Sequence, residues 1–174
     1  KGHAAPALYS ALAECDYFDR GELWSLRKFG SRLQGHPDMK SAPPGIEMST
    51  GSLGQGLSVA AGLALGARLT GRDWRTFCIT GDGELDEGQI WEAAMSAAHH
   101  RLGNLTLLID NNRLQIDGRC EEVLDLGSIE DKFRAFGWRV ITTDGHHHPS
   151  VESALIMAGE NSSRPLAIVL STVK

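Results

Sequence analysis

The chain has no cluster of Lys and Arg longer than a few residues, and its formal net charge is −5. The basic surface that would release counterions from a phosphate backbone is therefore missing, and no nucleic-acid partner is expected. No apolar run approaches the roughly 20 residues of a helical membrane span, and Lys1-Gly2-His3 does not read as a secretory leader. No membrane role is expected, and the protein reads as soluble. Cysteine is scarce and odd in number: Cys15, Cys78 and Cys120 show no C-x-x-C spacing. This argues against a disulfide framework and against a structural zinc site, and makes the cytoplasm the natural compartment. Internal repeats and low-complexity tracts are absent as well.

With 174 residues and 41% hydrophobic content, the chain can bury a core, and its length favours one domain over 1–174. Helical periodicity alternates with short continuous apolar runs, the pattern of an α/β fold in which helices cover both faces of a doubly wound parallel sheet. Ala5, Leu8, Tyr9 and Leu12 recur at helical spacing. Phe29 to Ser52 is rich in Gly, Pro, Ser and His, and is longer than most structureless connections, which suggests a loop with a function. Leu57, Ala60, Ala61, Ala64 and Leu65 predict a buried helix whose first turn, near Thr50 to Gly56, would offer unpaired N–H groups to an anion. Thr76–Thr80 and Leu105–Ile109 read as strands on either side of a helix through Ile90, Ala94 and Ala97. Ser128-Ile129-Glu130-Asp131 fits a capping box. Arg139–Thr143 and Leu166–Thr172 are further strands, with a helix from about Ser150 to Gly159 between them. Both ends look cut, so a longer polypeptide is expected.

Chemistry concentrates between Cys78 and Gly118. One apolar run ends in Gly81-Asp82-Gly83 and the next in Asp110-Asn111-Asn112. Each motif alone is an ordinary turn. Together they matter, because the 27 residues from 84 to 110 hold one helix and one strand. Such a βαβ unit sends both strand ends to one sheet edge, where ligands of open α/β sheets bind. Mg²⁺ prefers oxygen ligands and usually takes one or two protein groups besides phosphate. Asp82, Asn112 and a backbone carbonyl, assigned to Leu114, could supply them.

At this point the sequence resembles a known family. Gly81-Asp82-Gly83 through Asn111-Asn112 is similar to the thiamine diphosphate motif. Gln34-Gly35-His36-Pro37-Asp38, the run Pro44 to Gly56, Gly83-Glu84-Leu85-Asp86-Glu87-Gly88 through Ala93, and Ile116-Asp117-Gly118 resemble the diphosphate-binding domain of transketolase, with the split bacterial N-terminal subunit as the nearest form. The resemblance covers nearly the whole chain. It implies transfer of a two-carbon ketol unit from a ketose or its phosphate to an aldose or its phosphate, with thiamine diphosphate and Mg²⁺ (or Ca²⁺ or Mn²⁺) as cofactors. It implies that Asp82, Asn112 and the Leu114 carbonyl hold the metal, and that Gly81 and Gly83 lie by the diphosphate. By the same resemblance Gly51 and Leu53 contact the cofactor's rings, while His3 and His36 line the cofactor and meet substrate oxygens. Glu87 and Glu92 match acidic positions near the subunit interface, where the family links its two active sites, and the resemblance also counts Glu87 among the cofactor-binding residues.

The resemblance also implies what is absent: a pyrimidine-binding domain with its glutamate, further histidines and the arginines that bind substrate phosphate. A complementary pyrimidine-binding domain or C-terminal subunit is therefore expected, in a homodimer or heterotetramer. Other thiamine enzymes, such as deoxyxylulose-phosphate synthase or a pyruvate dehydrogenase-type alpha subunit, are disfavoured by Gly35-His36-Pro37 and by the Glu47 to Gly56 run. A non-catalytic module is disfavoured by the intact Asp82 and Asn112. His146-His147-His148 reads as an exposed turn rather than a metal tract. His99 and His100 suit a helix C-terminus, and Trp24, Trp74, Trp91 and Trp138 suit core or interface anchors.

Overall fold

A computed structural model describes residues 1–116, 118–160 and 162–174. Asp117 of the Ile116-Asp117-Gly118 motif lies outside the described residues. The chain divides into two compact units, Lys1–Leu53 and Gly54–Lys174.

In the first unit, helix α1 runs Ala5–Glu14, started by a proline in its first turn. The fixed φ of proline suits that position, where no N–H is needed. Ala5, Tyr9 and Ala13 fall on one face and are buried. They pack with Phe18, Leu33 and Ile46, so the long segment after α1 is pinned by its own apolar side chains. The Tyr9 hydroxyl donates to the Gln34 carbonyl at 3.0 Å. Burial raises the Tyr9 pKa from its ordinary value. Asp38 gathers the next part of the loop, accepting from the Ser41 hydroxyl at 2.8 Å, the Ser49 hydroxyl at 3.2 Å and the Lys40 N–H at 3.3 Å. These bonds hold its carboxyl below the usual range, the Ser41 bond most.

The second unit runs α2 Gln55–Leu69, β1 Thr76–Gly81, α3 Gly88–His99, β2 Leu105–Asn111, β3 Leu114–Gln115, β4 Gly118–Arg119, α4 Cys120–Val123, α5 Ile129–Ala135, β5 Arg139–Asp144, α6 His148–Ala158 and β6 Leu166–Ser171. Four strands form a parallel sheet in the order β1-β2-β6-β5. The chain moves one way across the sheet from β1 to β2 and returns from β5 to β6. Right-handed crossovers then place α6 on the face opposite α3. The packing agrees: Leu105, Leu107 and Ile109 of β2 share a core with α2, α3 and Phe133 of α5, whereas Ile168 of β6 packs on Ala154 and Ala158 of α6. Helices thus cover both faces, as the sequence predicts.

Each fully buried large apolar side chain contributes about 1.5–3 kcal/mol, so the continuous apolar runs of β2 and β6 anchor the unit. Trp138, buried before β5, donates its indole N–H to the Ala94 carbonyl at 2.9 Å and meets the Phe133 ring edge-on at 5.3 Å. Trp91 is half-buried, while Trp24 and Trp74 are exposed. Helix α2 buries only one face; Val59, Leu63 and Leu69 on its other side are exposed. The Ser128 hydroxyl accepts from the Asp131 N–H at 3.1 Å and starts α5 as expected. His99 ends α3 and His100 is its C-cap, as expected; just past that end Arg68 of α2 donates to Arg101 O at 3.0 Å and also to His100 O. Among the three consecutive histidines, all exposed, His148 begins α6, and His146 Nε2 accepts from the Val173 N–H at 2.9 Å.

Candidate functional site

The parallel register aligns Gly81 with Asp110, and Asp110 with Leu170, so the ends of β1, β2 and β6 form one edge. The Asp82 N–H donates to Asp110 O at 3.1 Å and extends the pairing one residue past β1. Asp82 is 5% exposed and caps a short 3-10 turn, Gly83–Asp86. One carboxylate oxygen accepts from the Gly83 N–H at 2.9 Å, and the other accepts from the Arg113 N–H. Arg113 holds a left-handed conformation with φ 63°. The Asn112 amide oxygen accepts from the Leu114 N–H at 3.0 Å, closing a tight turn against the carboxylate. Asp82, Asn112 and Leu114 therefore belong to one hydrogen-bonded constellation, with Gly81 and Gly83 on either side of Asp82.

The side-chain donors in this constellation are the Asp82 carboxylate and the Asn112 amide oxygen. Both are hard oxygen donors, and they fit Mg²⁺ or Ca²⁺ better than a soft metal. Among the described residues, no group of three or more His, Cys, Asp and Glu side chains is arranged to hold a metal. A cation at this edge would therefore depend on Asn112 and on the backbone. A hollow of about 260 Å³ beside Asp82 is lined by Asp86, Asn111, Arg113, Cys120 and Glu130 among others.

Cys120 lies next to this carboxylate. Burial first, then the Asp82 charge and a hydrogen bond to it, push the Cys120 thiol up to about 11. Cys78, buried in β1, is also pushed up to about 11, chiefly by burial. A raised thiol pKa means less thiolate below that pH, and the thiolate is the reactive form. Alkylation by iodoacetamide at pH 8 should therefore label the exposed Cys15 first. Cys120 and Cys78 should lag by about tenfold or more; mass spectrometry of a time course checks this, and equal labelling of all three would contradict the arrangement.

A second group lies inside the first unit. The His3 and His36 rings meet edge-on with centroids 4.8 Å apart. The Thr50 N–H donates to Pro37 O at 3.0 Å, which brings the residue after His36 beside the residue before Gly51. Gly2 is buried against the backbone of Thr50 and Gly51, where an added Cβ would lie 2.6 Å from Gly51 Cα. His3, His36 and Gly51 thus form one packed cluster. Leu53 is 41% exposed. Glu87 is exposed at the start of α3, and Glu92 is exposed on the same helix.

Sequence reasoning missed Glu84. It is buried, and its two oxygens accept from the Gly54 N–H at 3.1 Å and the Gly81 N–H at 3.4 Å. One of the N–H groups expected to be free near Thr50 to Gly56 is therefore occupied. The N–H of Gly54, the residue just before the helix, is already taken by an internal carboxylate. The presence of Glu in Gly-Asp-Gly-Glu was legible, but its inward direction was not.

Residues 1–174 match the family described as transketolase, thiamine diphosphate binding domain. The chain belongs to that family. It is 47% identical over 174 residues to a 6-deoxy-6-sulfo-D-fructose transketolase subunit of Clostridium sp. (strain MSTE9), covering 100% of this chain and 63% of that protein. Transketolase of Homo sapiens is 41% identical over 175 residues, covering 100% of this chain and 27% of that protein. The crystal structure of transketolase from Campylobacter jejuni superposes with a TM-score of 0.87 at 30% identity, over 99% of this chain and 28% of that one. The chain thus belongs with the thiamine diphosphate-binding domain of transketolase, and it spans less than two thirds of those relatives.

Proposed function

We propose that the enzyme to which this chain belongs transfers a two-carbon ketol unit from a ketose, or its phosphate, to an aldose, or its phosphate. In this reading thiamine diphosphate is held through Mg²⁺ by Asp82, Asn112 and the Leu114 carbonyl. The observation that carries it is the buried Asp82 carboxylate, tied by Gly83 and Arg113 to the turn that bears Asn112 and Leu114. When bound, the cofactor supplies the carbanion chemistry, and the protein supplies orientation and electrostatics. His3 and His36 are suited to donate hydrogen bonds to substrate oxygens and to exchange protons with them. Gly51 and Leu53 face the cofactor's rings in this reading, and Gly81 and Gly83 its diphosphate.

The partner is a polypeptide or domain that binds the pyrimidine ring, and the assembly is a homodimer or a heterotetramer. The word subunit in the name of the Clostridium relative supports a split enzyme. Glu87 and Glu92, exposed on α3, are available to such an interface. No helix is long and apolar enough to cross a membrane among the described residues, and a cytoplasmic location suits the free cysteines.

The test is calorimetric titration of thiamine diphosphate into the assembled enzyme, followed by a coupled ketol-transfer assay. Binding should require a divalent cation, vanish after chelation and return with Mg²⁺, Mn²⁺ or Ca²⁺. Metal-independent binding of equal affinity would overturn the reading. Because the Clostridium relative is named for a sulfo-sugar, the donor panel should include sulfonated as well as phosphorylated ketoses.

A further inference from the structure

We propose that Glu84 is a positioning residue that sets the distance between two glycine turns, the one opening α2 and the one closing β1, before any cofactor arrives. The inference rests on the thiamine diphosphate reading of the Asp82 edge. Glu84 lies two residues past Asp82, is 8% exposed, and spends both oxygens on backbone N–H groups, those of Gly54 and Gly81. The two groups are 27 residues apart in sequence, and a single carboxylate joins them.

Each N–H needs this acceptor for a different reason. β1 is an edge strand of the sheet. The Asp82 N–H points to β2, so by strand alternation the Gly81 N–H points to the open side, where among the described residues no neighbouring strand accepts it. Gly54 is the N-cap of α2 in a left-handed conformation, φ 81°, without a side-chain cap of its own. A buried N–H left unpaired is costly, and a carboxylate at a helix start also suits the positive end of the helix dipole. Glu84 answers both needs with one group.

The contact is close enough to define a distance. A Cβ built on Gly54 would lie 2.8 Å from Glu87 Cβ and 3.3 Å from Glu87 Cγ. The start of α2 therefore rests directly on the Glu84–Glu87 segment, with no room for a side chain between them. Glu84 touches neither substrate nor cofactor in this account. It holds the Gly81-Asp82-Gly83 turn against the α2 N-terminus so that the Gly83 N–H and the Asp82 carboxylate start from a fixed geometry. A carboxylate used this way also keeps the Gly54 N–H satisfied while no diphosphate is present.

The experiment compares Glu84→Ala, Glu84→Gln and Asp82→Asn in the assembled enzyme. Glu84→Ala should weaken thiamine diphosphate binding about tenfold by calorimetry at saturating Mg²⁺, with kcat at saturating cofactor within about twofold of the parent, on the scale of a 1.4 kcal/mol loss. Glu84→Gln keeps one acceptor and turns an N–H toward the other donor, so its affinity should fall by about threefold, an intermediate loss. A residue that merely stabilises the fold would lower the melting temperature and leave the dissociation constant of the folded protein unchanged; that result overturns the proposal. If Glu84→Ala does not fold, Glu84→Gln decides: a weakened dissociation constant supports positioning, and an unchanged one overturns it. Asp82→Asn separates the two ideas. Loss of binding there with intact binding in both Glu84 variants sinks only the Glu84 proposal, whereas intact binding in Asp82→Asn sinks the cofactor reading on which it rests.

Discussion

Asp82→Ala lowers the Mg²⁺-dependent affinity for thiamine diphosphate by about a hundredfold or more, beyond the 10–100-fold that loss of a ligand's supporting groups costs a metal site. The reason lies in what the carboxylate does in the folded chain. It is 5% exposed, and its two oxygens accept from the Gly83 and Arg113 N–H groups, with the Cys120 thiol as a third partner. A carboxylate has about four lone-pair sites, so capacity remains for a cation. Removing it deletes the only anionic donor of the proposed set and leaves the Gly83 and Arg113 N–H groups without their acceptor. Each unsatisfied N–H costs about 1–3 kcal/mol where water cannot replace the partner. Circular dichroism should therefore show a folded protein with a lower melting temperature. Asp82→Asn separates the effects, because its amide oxygen can still accept one of the two bonds. Its melting temperature should move back toward the parent while calorimetry still shows weak binding. Unchanged affinity in Asp82→Ala would remove Asp82 from the metal site.

Much of the fold was legible because its physics is local. β2 and β6 are continuous apolar runs, and strands buried on both faces have little choice but to read that way. Ser128 and Gly137 bound α5 through a cap and a left-handed glycine, φ 89°, both of which leave marks in sequence. The paired ends Asp82 and Asn112 could be placed on one edge because a βαβ unit allows little else. What stayed hidden depends on direction or on contacts between elements. β3 and β4 are two residues each, too short for any periodicity. Arg68 meets the end of α3 from 32 residues away. Glu84 points inward although acidic residues usually face solvent. The His146 ring accepts from the Val173 N–H, 27 residues on, which no spacing rule would find. The apolar pattern of α2 predicted a buried helix, and the residues that carry it, Leu57, Ala60 and Ala64, are buried, while Val59 and Leu63 on the other side are exposed; hydrophobic residues often remain at the surface.

Gly51→Ala lowers turnover of the assembled enzyme by about a hundredfold, the loss expected when a group at the chemistry is misplaced by about 1 Å. Gly51 sits at φ 119°, a conformation that side chains other than glycine's rarely adopt, so the strain alone costs about 1–3 kcal/mol. The added methyl would also lie 2.6 Å from Cδ2 and 2.9 Å from Cγ of the His36 ring, closer than van der Waals contact permits. Gly2 closes off retreat on the other side, packed directly on the Gly51 backbone. The ring therefore has to move, and with it the edge-on contact to His3. If His36 contacts substrate, Gly51→Ala and His36→Ala should both reduce kcat far more than cofactor affinity. If it contacts the cofactor instead, both should lose affinity in proportion to turnover. Steady-state kinetics at saturating cofactor, with calorimetry on the same preparations, distinguishes these outcomes. Full activity in Gly51→Ala would mean that the His3 and His36 cluster is structural and that the substrate's oxygens are met elsewhere.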